Sequence, residues 1–206
     1  QTGGRGRLGR QWVSKRGKLY SSLALIDPAP HAQAFQLGFV AAIAVYDTLI
    51  AVGLLSEDIT LKWPNDVLVD GKKISGILIE GISLAQGHQG VVVGCGINIA
   101  HHPADTLYPV TDLASLGVII SPLEVFLQFT IAFREGLALY QKGDGFEAVR
   151  SRWLSLAHRK GSPIVVKDRN AEQRGLFSGL DADGRLLLDQ GGHIVSVIAG
   201  DIFIGS

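Results

Sequence analysis

The segment from residue 59 to residue 80 constrains the fold more than any other part of the chain. It holds two apolar runs, residues 67–69 and 74–80, joined through the dipeptide Asp70-Gly71. Asp-Gly is a favoured two-residue hairpin turn because it tolerates the positive φ angles that such a turn requires. A third run, residues 59–63, stops at Pro64, which has no backbone N–H to donate to a sheet. We therefore predict strands that pair through a hairpin in this segment.

Three helices are predicted from apolar spacing and capping signals. Residues 34–55 carry apolar side chains at helical spacing, with Phe35, Phe39 and Ile50 on one broad face. The sequence Ser121-Pro122-Leu123-Glu124 has the form of a capping box with proline at the first helical position, and it predicts a helix that runs to Tyr140. Residues 146–156 predict a third, shorter helix.

Strands are predicted where short apolar runs lie between turn residues, at 19–26, 59–63, 67–69, 74–80 and 91–99. The composition changes near Gly161-Ser162-Pro163, and five more strands are predicted at 164–167, 175–180, 185–189, 193–198 and 201–204. We therefore predict an α+β fold in two domains. The first, residues 1–160, holds a mixed sheet with helices, and the second, residues 161–206, is a small SH3-like β-barrel.

The composition predicts a soluble protein with a full hydrophobic core. The chain has 206 residues, of which 47% are apolar, and this is enough to bury a core. The apolar stretch 37–55 is interrupted by Asp47 and Thr48, so we expect a buried helix and no membrane span. No secretory leader is visible and Cys95 is the only cysteine, which favours a reducing cytoplasm. The chain opens on Gln1 and lacks methionine, which indicates a natural start further upstream.

Residues 1–10 form a basic, glycine-rich segment. Arg5, Arg7 and Arg10 lie among four glycines, in a chain whose formal net charge is zero. The planar fork of arginine bonds oxyanions in pairs, so this loop is a candidate for folding over an anionic small ligand. A solvated basic segment that contacts RNA is the alternative. Residues 4–9 match the pattern G-x-G-x-x-G, but a turn and a strand follow where a dinucleotide site needs a helix, so we reject a Rossmann site.

Polar residues interrupt otherwise apolar strands at three places downstream. They are the strings KWPND at 62–66, KISGIL at 73–78 and GCGIN at 94–98. Taken alone, Pro64-Asn65-Asp66 is ordinary turn chemistry. Taken together, the three strings predict buried polar side chains, which need hydrogen-bond partners, and a bound ligand is a candidate partner.

The strings GRGRLGRQW, GKLYSSL, KWPNDVLVDGKKISGILIE and VVVGCGINI follow one another over residues 1–100. In this order they resemble the catalytic domain of biotin protein ligases, and the small C-terminal domain fits the accessory domain of that family. Lipoate ligases share a related fold, but the arginine-glycine loop and KWPND point to the biotin branch. The resemblance implies a class II synthetase-like fold and an ATP-dependent ligase. Such an enzyme forms biotinyl-AMP and then transfers biotin to a lysine of a biotin carboxyl carrier protein.

The resemblance also implies roles for individual residues. Lys73 and Arg7 would be catalytic, stabilising negative charge on the phosphoryl oxygens. The biotin site would be lined by Gln1, Arg5, Gly6, Arg7 and Lys73. ATP, its Mg²⁺ or their supporting residues would involve Arg10, Trp12, Asn65, Asp66 and Asn98. No metal ligand is assigned. The family carries a strand and a Ser-Thr-Asn type motif upstream of the arginine loop, so part of the site is expected to precede Gln1.

Several alternatives stay open at this level. A transcriptional regulator that responds to biotinyl-AMP, or a catalytically silent ligand-binding relative, would have the same strings. The implied partners are biotin and a carrier domain of a carboxylase, with no membrane, no DNA contact from these residues, and an oligomer left open. Trp12 either stacks on adenine or packs against protein. Cys95 is expected to be a packed residue, His101-His102 to lie in a loop without metal spacing, and Trp153 to be core.

Overall fold

The structure is a computed structural model that describes residues 4–6, 9, 11–12, 14–104, 106, 108–167 and 172–204. Its strands are β1 (Gly4–Arg5), β2 (Gln11–Trp12), β3 (Leu19–Ile26), β4 (Ile59–Lys62), β5 (Asp66–Val69), β6 (Lys72–Ser83), β7 (Gln89–Ile97), β8 (Pro163–Lys167), β9 (Glu172–Leu180), β10 (Leu186–Asp189), β11 (Ile194–Val197) and β12 (Asp201–Ile204). Its helices are α1 (Leu37–Ala51), α2 (Pro122–Tyr140) and α3 (Phe146–Ser155). The α+β class is confirmed.

The larger sheet has the strand order β3-β7-β6-β5-β4 and is antiparallel in every ladder. The predicted hairpin is confirmed: β5 and β6 are joined at Asp70 and Gly71, whose φ angles are 50° and 71°. Both values lie in the positive range that this turn requires.

The sequence predicts a mixed sheet, whereas every ladder of the larger sheet is antiparallel. Among the described residues, parallel pairing is confined to two isolated bridges, Leu61 with Ala157 and Lys73 with Val110. The reason is the connections: the hairpin turns between β5, β6 and β7 are short, and short turns join antiparallel neighbours. The first bridge ties the segment after α3 to β4, and the second ties a loop to β6.

Helix α1 is the centre of the larger domain and is buried on nearly every side. It packs against the sheet on one side and against α2 and α3 on others, and its residues from Leu37 to Val45 are all buried. The segment His31–Ala51 is long and apolar enough to cross a membrane, but most of it is buried inside the protein, as expected for a core helix. The prediction that α1 buries one broad face containing Phe35 and Ile50 is therefore wrong, since the helix is buried on several sides and these two side chains are exposed.

Helix α2 begins as the sequence predicts. Ser121 accepts a hydrogen bond from the Glu124 backbone N–H, and the Glu124 side chain bonds back to the Ser121 backbone N–H. This reciprocal pair satisfies two of the unpaired donors at a helix start. Trp153 on α3 is 1% exposed and packs edge-to-face on Phe39 of α1, which confirms its predicted place in the core.

The smaller sheet is antiparallel, with the order β11-β10-β9-β8-β12. All five predicted strands are present, and the pairing places β11 and β12 at the two edges. Closure of this sheet into an SH3-like barrel stays a prediction, as does the domain boundary at residue 160.

The turn between β9 and β10 of the smaller sheet packs against the helices of the larger domain. Gly184 lies in this turn at φ 93°, and a side chain there would meet the rings of Phe39 and Phe146 at 2.9 and 3.0 Å. The indole N–H of Trp63 donates to the Gly184 carbonyl at 3.2 Å. Arg150 of α3 likewise donates to the Leu180 carbonyl at 2.9 Å. These contacts fix the smaller sheet beside the end of β4.

Candidate active site

One face of the larger sheet has glycine at three positions near its centre. Side chains alternate between the faces of a strand, so Gly94 and Gly96 of β7 share a face, and Gly76 of β6 lies directly opposite Gly96. The other face carries Ile77 and Cys95, which pack into the core below. The glycines form the floor of a cavity of about 900 Å³, a size typical of small-molecule sites.

The Trp12 ring packs against this glycine floor. A Cβ on Gly96 would come within 2.7 Å of the indole ring, and one on Gly76 within 3.0 Å. The two glycines are therefore what allows the ring to approach the sheet. The Trp12 indole N–H is buried and has no hydrogen-bond partner among the described residues, so a donor in the wall of the cavity is left for a ligand.

A β-bulge turns Lys73 toward the cavity. In the β5–β6 ladder Val67 lies opposite Ser75, but Leu68 lies opposite Lys73, so Ile74 is the extra residue. In an unbroken strand Lys73 would share the core-facing side with Ser75. Instead its Nζ lies beside Gly76, 3.2 Å from the position of a Cβ there. Bulges of this kind commonly re-aim a side chain at a functional site.

Lys73, Asp66 and Lys62 form the charged part of the cavity. Lys73 Nζ lies 2.5 Å from Asp66 Oδ1, and Lys62 Nζ lies 3.4 Å from Asp66 Oδ2. The side chains of Lys73 and Asp66 are each 11% exposed. Two ammonium groups share one carboxylate, so this nearly buried trio keeps an excess of positive charge and attracts an anion.

An aromatic wall covers the two lysines. The Tyr108 ring centroid lies 5.2 Å from Lys73 Nζ and 5.6 Å from Lys62 Nζ. Backbone hydrogen bonds from Lys73 N–H to the Pro109 carbonyl and from Thr111 N–H to the Lys73 carbonyl hold this segment against β6. Tyr108 therefore lies within cation–π range of both ammonium groups.

Asn65 and Asn98 support the site from different sides. Asn65 lines the cavity. Its side-chain Nδ2 donates to the Ile77 carbonyl of β6, and its backbone carbonyl accepts from the Ile77 N–H. Asn98 does not line the cavity. Its Nδ2 donates to the Thr111 carbonyl at 2.9 Å, and its Oδ1 is buried without a partner among the described residues. Asn98 thus holds the segment that carries Tyr108.

The basic loop reaches the opposite rim of the cavity. Arg5 and Gly6 line it, and Arg5 Nη2 lies 3.3 Å from Glu80 Oε1 of β6. Both side chains are exposed, so this pair contributes little stability. Among the remaining site residues predicted from the sequence, three lie outside the described residues: Gln1, Arg7 and Arg10.

The smaller sheet supplies a wall that the sequence analysis missed. His158 and Arg159 line the cavity, together with Asp201, Ile202 and Phe203 of β12. These residues carry no motif. His158 reaches the cavity through its hydrogen bond to Leu61 of β4, and the docking of the smaller sheet brings β12 to Lys62, whose Nζ lies 3.4 Å from the Ile202 carbonyl. Tyr108 was missed for the same reason.

Cys95 and the histidines are not metal ligands in this arrangement. Cys95 is buried, and burial raises the pKa of its thiol to about 12, so it is a packed residue, as predicted. His102 lies in a loop, with Nδ1 paired to Asp112 Oδ2. Across the described residues, no group of three or more His, Cys, Asp or Glu side chains is placed to hold a metal ion.

Comparison with known proteins gives a consistent result over both parts of the chain. Residues 1–98 match the biotin/lipoate A/B protein ligase family, and residues 161–205 match the biotin protein ligase C terminal domain. The chain is 36% identical to the biotin--[acetyl-CoA-carboxylase] ligase of Paracoccus denitrificans, over 100% of this chain and 88% of that protein. It is 32% identical to the bifunctional ligase/repressor BirA of Bacillus subtilis, over 100% of this chain but only 64% of the relative.

Solved structures show the same likeness. The biotin protein ligase from Aquifex aeolicus in complex with biotin and ATP superimposes with a TM-score of 0.82 at 28% identity, covering 98% of this chain and 84% of that chain. The biotin protein ligase from Leishmania major in complex with biotinyl-5-AMP, at 21% identity, shares the fold with a TM-score of 0.63 over 97% of this chain and 85% of that one. The chain belongs to the biotin protein ligase family.

Proposed function

We propose that this chain is an ATP-dependent ligase that activates biotin as biotinyl-AMP and transfers biotin to a lysine of a biotin carboxyl carrier protein. One relative named above is a biotin--[acetyl-CoA-carboxylase] ligase. The two solved structures hold biotin with ATP and biotinyl-5-AMP. The observation that carries the proposal is the nearly buried Lys73–Asp66–Lys62 trio above a floor of glycine. An excess positive charge in a small, enclosed site suits a reaction in which phosphoryl oxygens gain negative charge.

In the first step the biotin carboxylate attacks the α-phosphorus of ATP, and pyrophosphate leaves. Lys73 would stabilise the negative charge on the α-phosphoryl oxygens and hold the biotin carboxylate. Asp66 would fix the position of the Lys73 ammonium group, and Lys62 would add attraction for the phosphates. Trp12 would cover the ligand from the side of the basic loop, with its unpartnered indole N–H as a donor.

Magnesium would enter this site with ATP as part of the substrate. Mg²⁺ is usually held by one or two carboxylates together with substrate phosphates, and the protein need not supply a complete set of ligands. Asp66, which pairs with Lys73, and Asn65 beside it in the chain would be the residues to hold the ion. When bound, the ion would neutralise phosphate charge. The donor set therefore fits an ion carried by the nucleotide.

The basic loop would complete the binding site. Gln1, Arg5, Gly6, Arg7 and Arg10 are proposed to contact biotin, the adenylate or ATP. Arg5 and Gly6 already line the cavity, which supports the proposal for those two. A closed loop would shield the reactive mixed anhydride from water, and an open one would admit substrates.

In the second step the acceptor lysine attacks biotinyl-AMP and releases AMP. We propose residues 1–160 as the catalytic domain, residues 161–206 as the accessory domain, and the cytoplasm as the site of action. Absence of DNA binding by these residues and the oligomeric state stay predictions. Within the described residues, no observation favours the alternative of a biotinyl-AMP-responsive regulator.

The test is biotin-dependent exchange of labelled pyrophosphate into ATP, with lipoate as the control acid. We expect exchange with biotin only. Lys73→Ala should lower the exchange rate by about 10²- to 10³-fold, the usual effect of removing one charge-stabilising donor. Lys72→Ala is the matched control, because Lys72 is the neighbouring lysine but is exposed and outside the cavity. Equal rates for the two variants would remove Lys73 from the mechanism.

A further inference from the structure

His158 is held rigidly at the cavity wall by contacts on both its backbone and its ring. Its backbone N–H donates to the Leu61 carbonyl at 2.8 Å, and Leu61 N–H donates to the Leu156 carbonyl at 2.8 Å. Its ring Nδ1 lies 3.0 Å from Thr60 Oγ1. Both the backbone and the ring of His158 are therefore hydrogen-bonded to β4, although the residue follows α3 in the chain.

The contact with Thr60 leaves the other ring nitrogen available. When Nδ1–H donates to Thr60 Oγ1, neutral imidazole carries its lone pair on Nε2. In this tautomer Thr60 Oγ1 accepts the bond both before and after Nε2 is protonated, so the ring does not need to turn when it takes up a proton. His158 lines the same cavity as Lys73 and Lys62, on the wall that the smaller sheet closes.

Burial and positive neighbours keep His158 neutral near pH 7. Partial burial lowers its pKa below the ordinary value, and the charges of Arg159 and Lys62 lower it further. Asp201 of β12 also lines this wall. A neutral imidazole at neutral pH is suited to act as a general base.

The transfer step needs such a base. The acceptor lysine is an ammonium ion in water at pH 7, and it must lose a proton before its nitrogen can attack. Of the three carboxylates that line the cavity, Asp66 is shared by Lys73 and Lys62 and Glu80 pairs with Arg5, while Asp201 lies on the same wall as His158.

We infer that His158 is the general base of the transfer step, accepting a proton from the acceptor lysine on Nε2. The lysine nitrogen then forms the amide bond with the biotin acyl carbon. The bond from that carbon to the phosphate oxygen breaks, and AMP leaves with the electron pair. The proton on His158 returns to solvent. This inference rests on the proposed ligase function and concerns only its second step.

The test separates the two steps of the reaction in the same protein. Pyrophosphate exchange measures the first step, and single-turnover transfer from supplied biotinyl-AMP to a biotin carboxyl carrier domain measures the second. We expect His158→Asn to lower transfer by about 10²- to 10⁴-fold, the range for a general base, with exchange unchanged. His193→Asn, in an exposed turn of the smaller sheet, is the matched control for both.

Three further readouts distinguish a base from a structural residue. Transfer by the unsubstituted chain should rise with pH through the His158 pKa and then level off, whereas transfer by His158→Asn should keep rising with pH as more acceptor amine becomes neutral. Added imidazole should restore part of the rate. Hydroxylamine, which is neutral at pH 7, should react equally well with the adenylate bound to either protein.

Two outcomes would overturn the inference. Unchanged transfer in both His158→Asn and His158→Gln would show that no base acts at this position. An equal loss of exchange and transfer would show that His158 supports the whole site. Absence of exchange in the unsubstituted chain, with transfer from supplied biotinyl-AMP intact, would instead count against the proposed adenylation step alone.

Discussion

The contact between Trp12 and the glycine floor predicts a large functional effect from a single methyl group. Replacing Gly96 with alanine would place Cβ 2.7 Å from Trp12 Cζ2 and 2.8 Å from Cε2. Ordinary contact begins near 3.4 Å, so the ring must move away by about 0.7 Å, a shift of the size that impairs catalysis by up to about 10²-fold. We therefore expect Gly96→Ala to lower kcat/KM for ATP by about 10- to 10²-fold in the exchange assay.

The same substitution should leave the fold intact. Gly96 does not have a positive φ angle, so alanine fits its backbone, and loss of glycine freedom in the unfolded chain stabilises by about 0.4–1 kcal/mol. Gly81→Ala is the matched control, because Gly81 also lies in a strand of this sheet but has open space around it. Urea unfolding of both variants checks stability. If Gly96→Ala and Gly81→Ala gave the same kcat/KM, the ring position would not matter for catalysis.

Three further predictions concern the core and the supporting contacts. Cys95, with its raised thiol pKa of about 12, should react with iodoacetamide at least about 10²-fold more slowly in the folded chain than in urea, as mass spectrometry would show. Ser121→Ala should destabilise the chain by about 1 kcal/mol through loss of the α2 cap, with exchange activity unchanged; an unaltered urea midpoint would contradict this. Burial raises the pKa of Asp112, but hydrogen bonds from Ser115 and His102 outweigh it and hold that pKa below its ordinary value. The stabilisation is present above the unfolded pKa and is lost as pH falls through the lower folded value. Asp112→Asn should therefore destabilise the chain at pH 7, with the difference from the unsubstituted chain narrowing in urea titrations as pH falls below about 4.

Local chemistry made much of the fold predictable. The strand β3 (Leu19–Ile26) and the strand β12 (Asp201–Ile204) begin and end where the sequence predicts, because turn residues bound both. The capping box at Ser121 and the hairpin at Asp70-Gly71 are confirmed because each depends on a few adjacent residues. Helix α1 lies within the predicted range 34–55 but spans only Leu37–Ala51. Its buried surface was also not predicted, since periodicity cannot show that a helix is enclosed on several sides.

The site was less predictable because its geometry depends on pairing between distant segments. Lys73 faces the cavity only because Ile74 is a bulge residue, and a bulge is a property of two strands in register. Nothing in the string KKISGIL indicates it. The family resemblance selected Lys73 by position, but the physical reason for its orientation comes from the ladder with β5.

The cavity also depends on a contact outside it. His158 and β12 form one wall. His158 is hydrogen-bonded directly to Leu61 of β4, and β12 reaches the larger sheet as part of the smaller sheet, whose turn at Gly184 packs against Phe39 and Phe146. Trp63 links this contact to the cavity. Its indole N–H donates to the Gly184 carbonyl, and the residues that follow it in the chain, through Asp66, line the cavity. The smaller sheet is thus part of the site by geometry, and a change in its docking would move the catalytic wall without altering any residue within it.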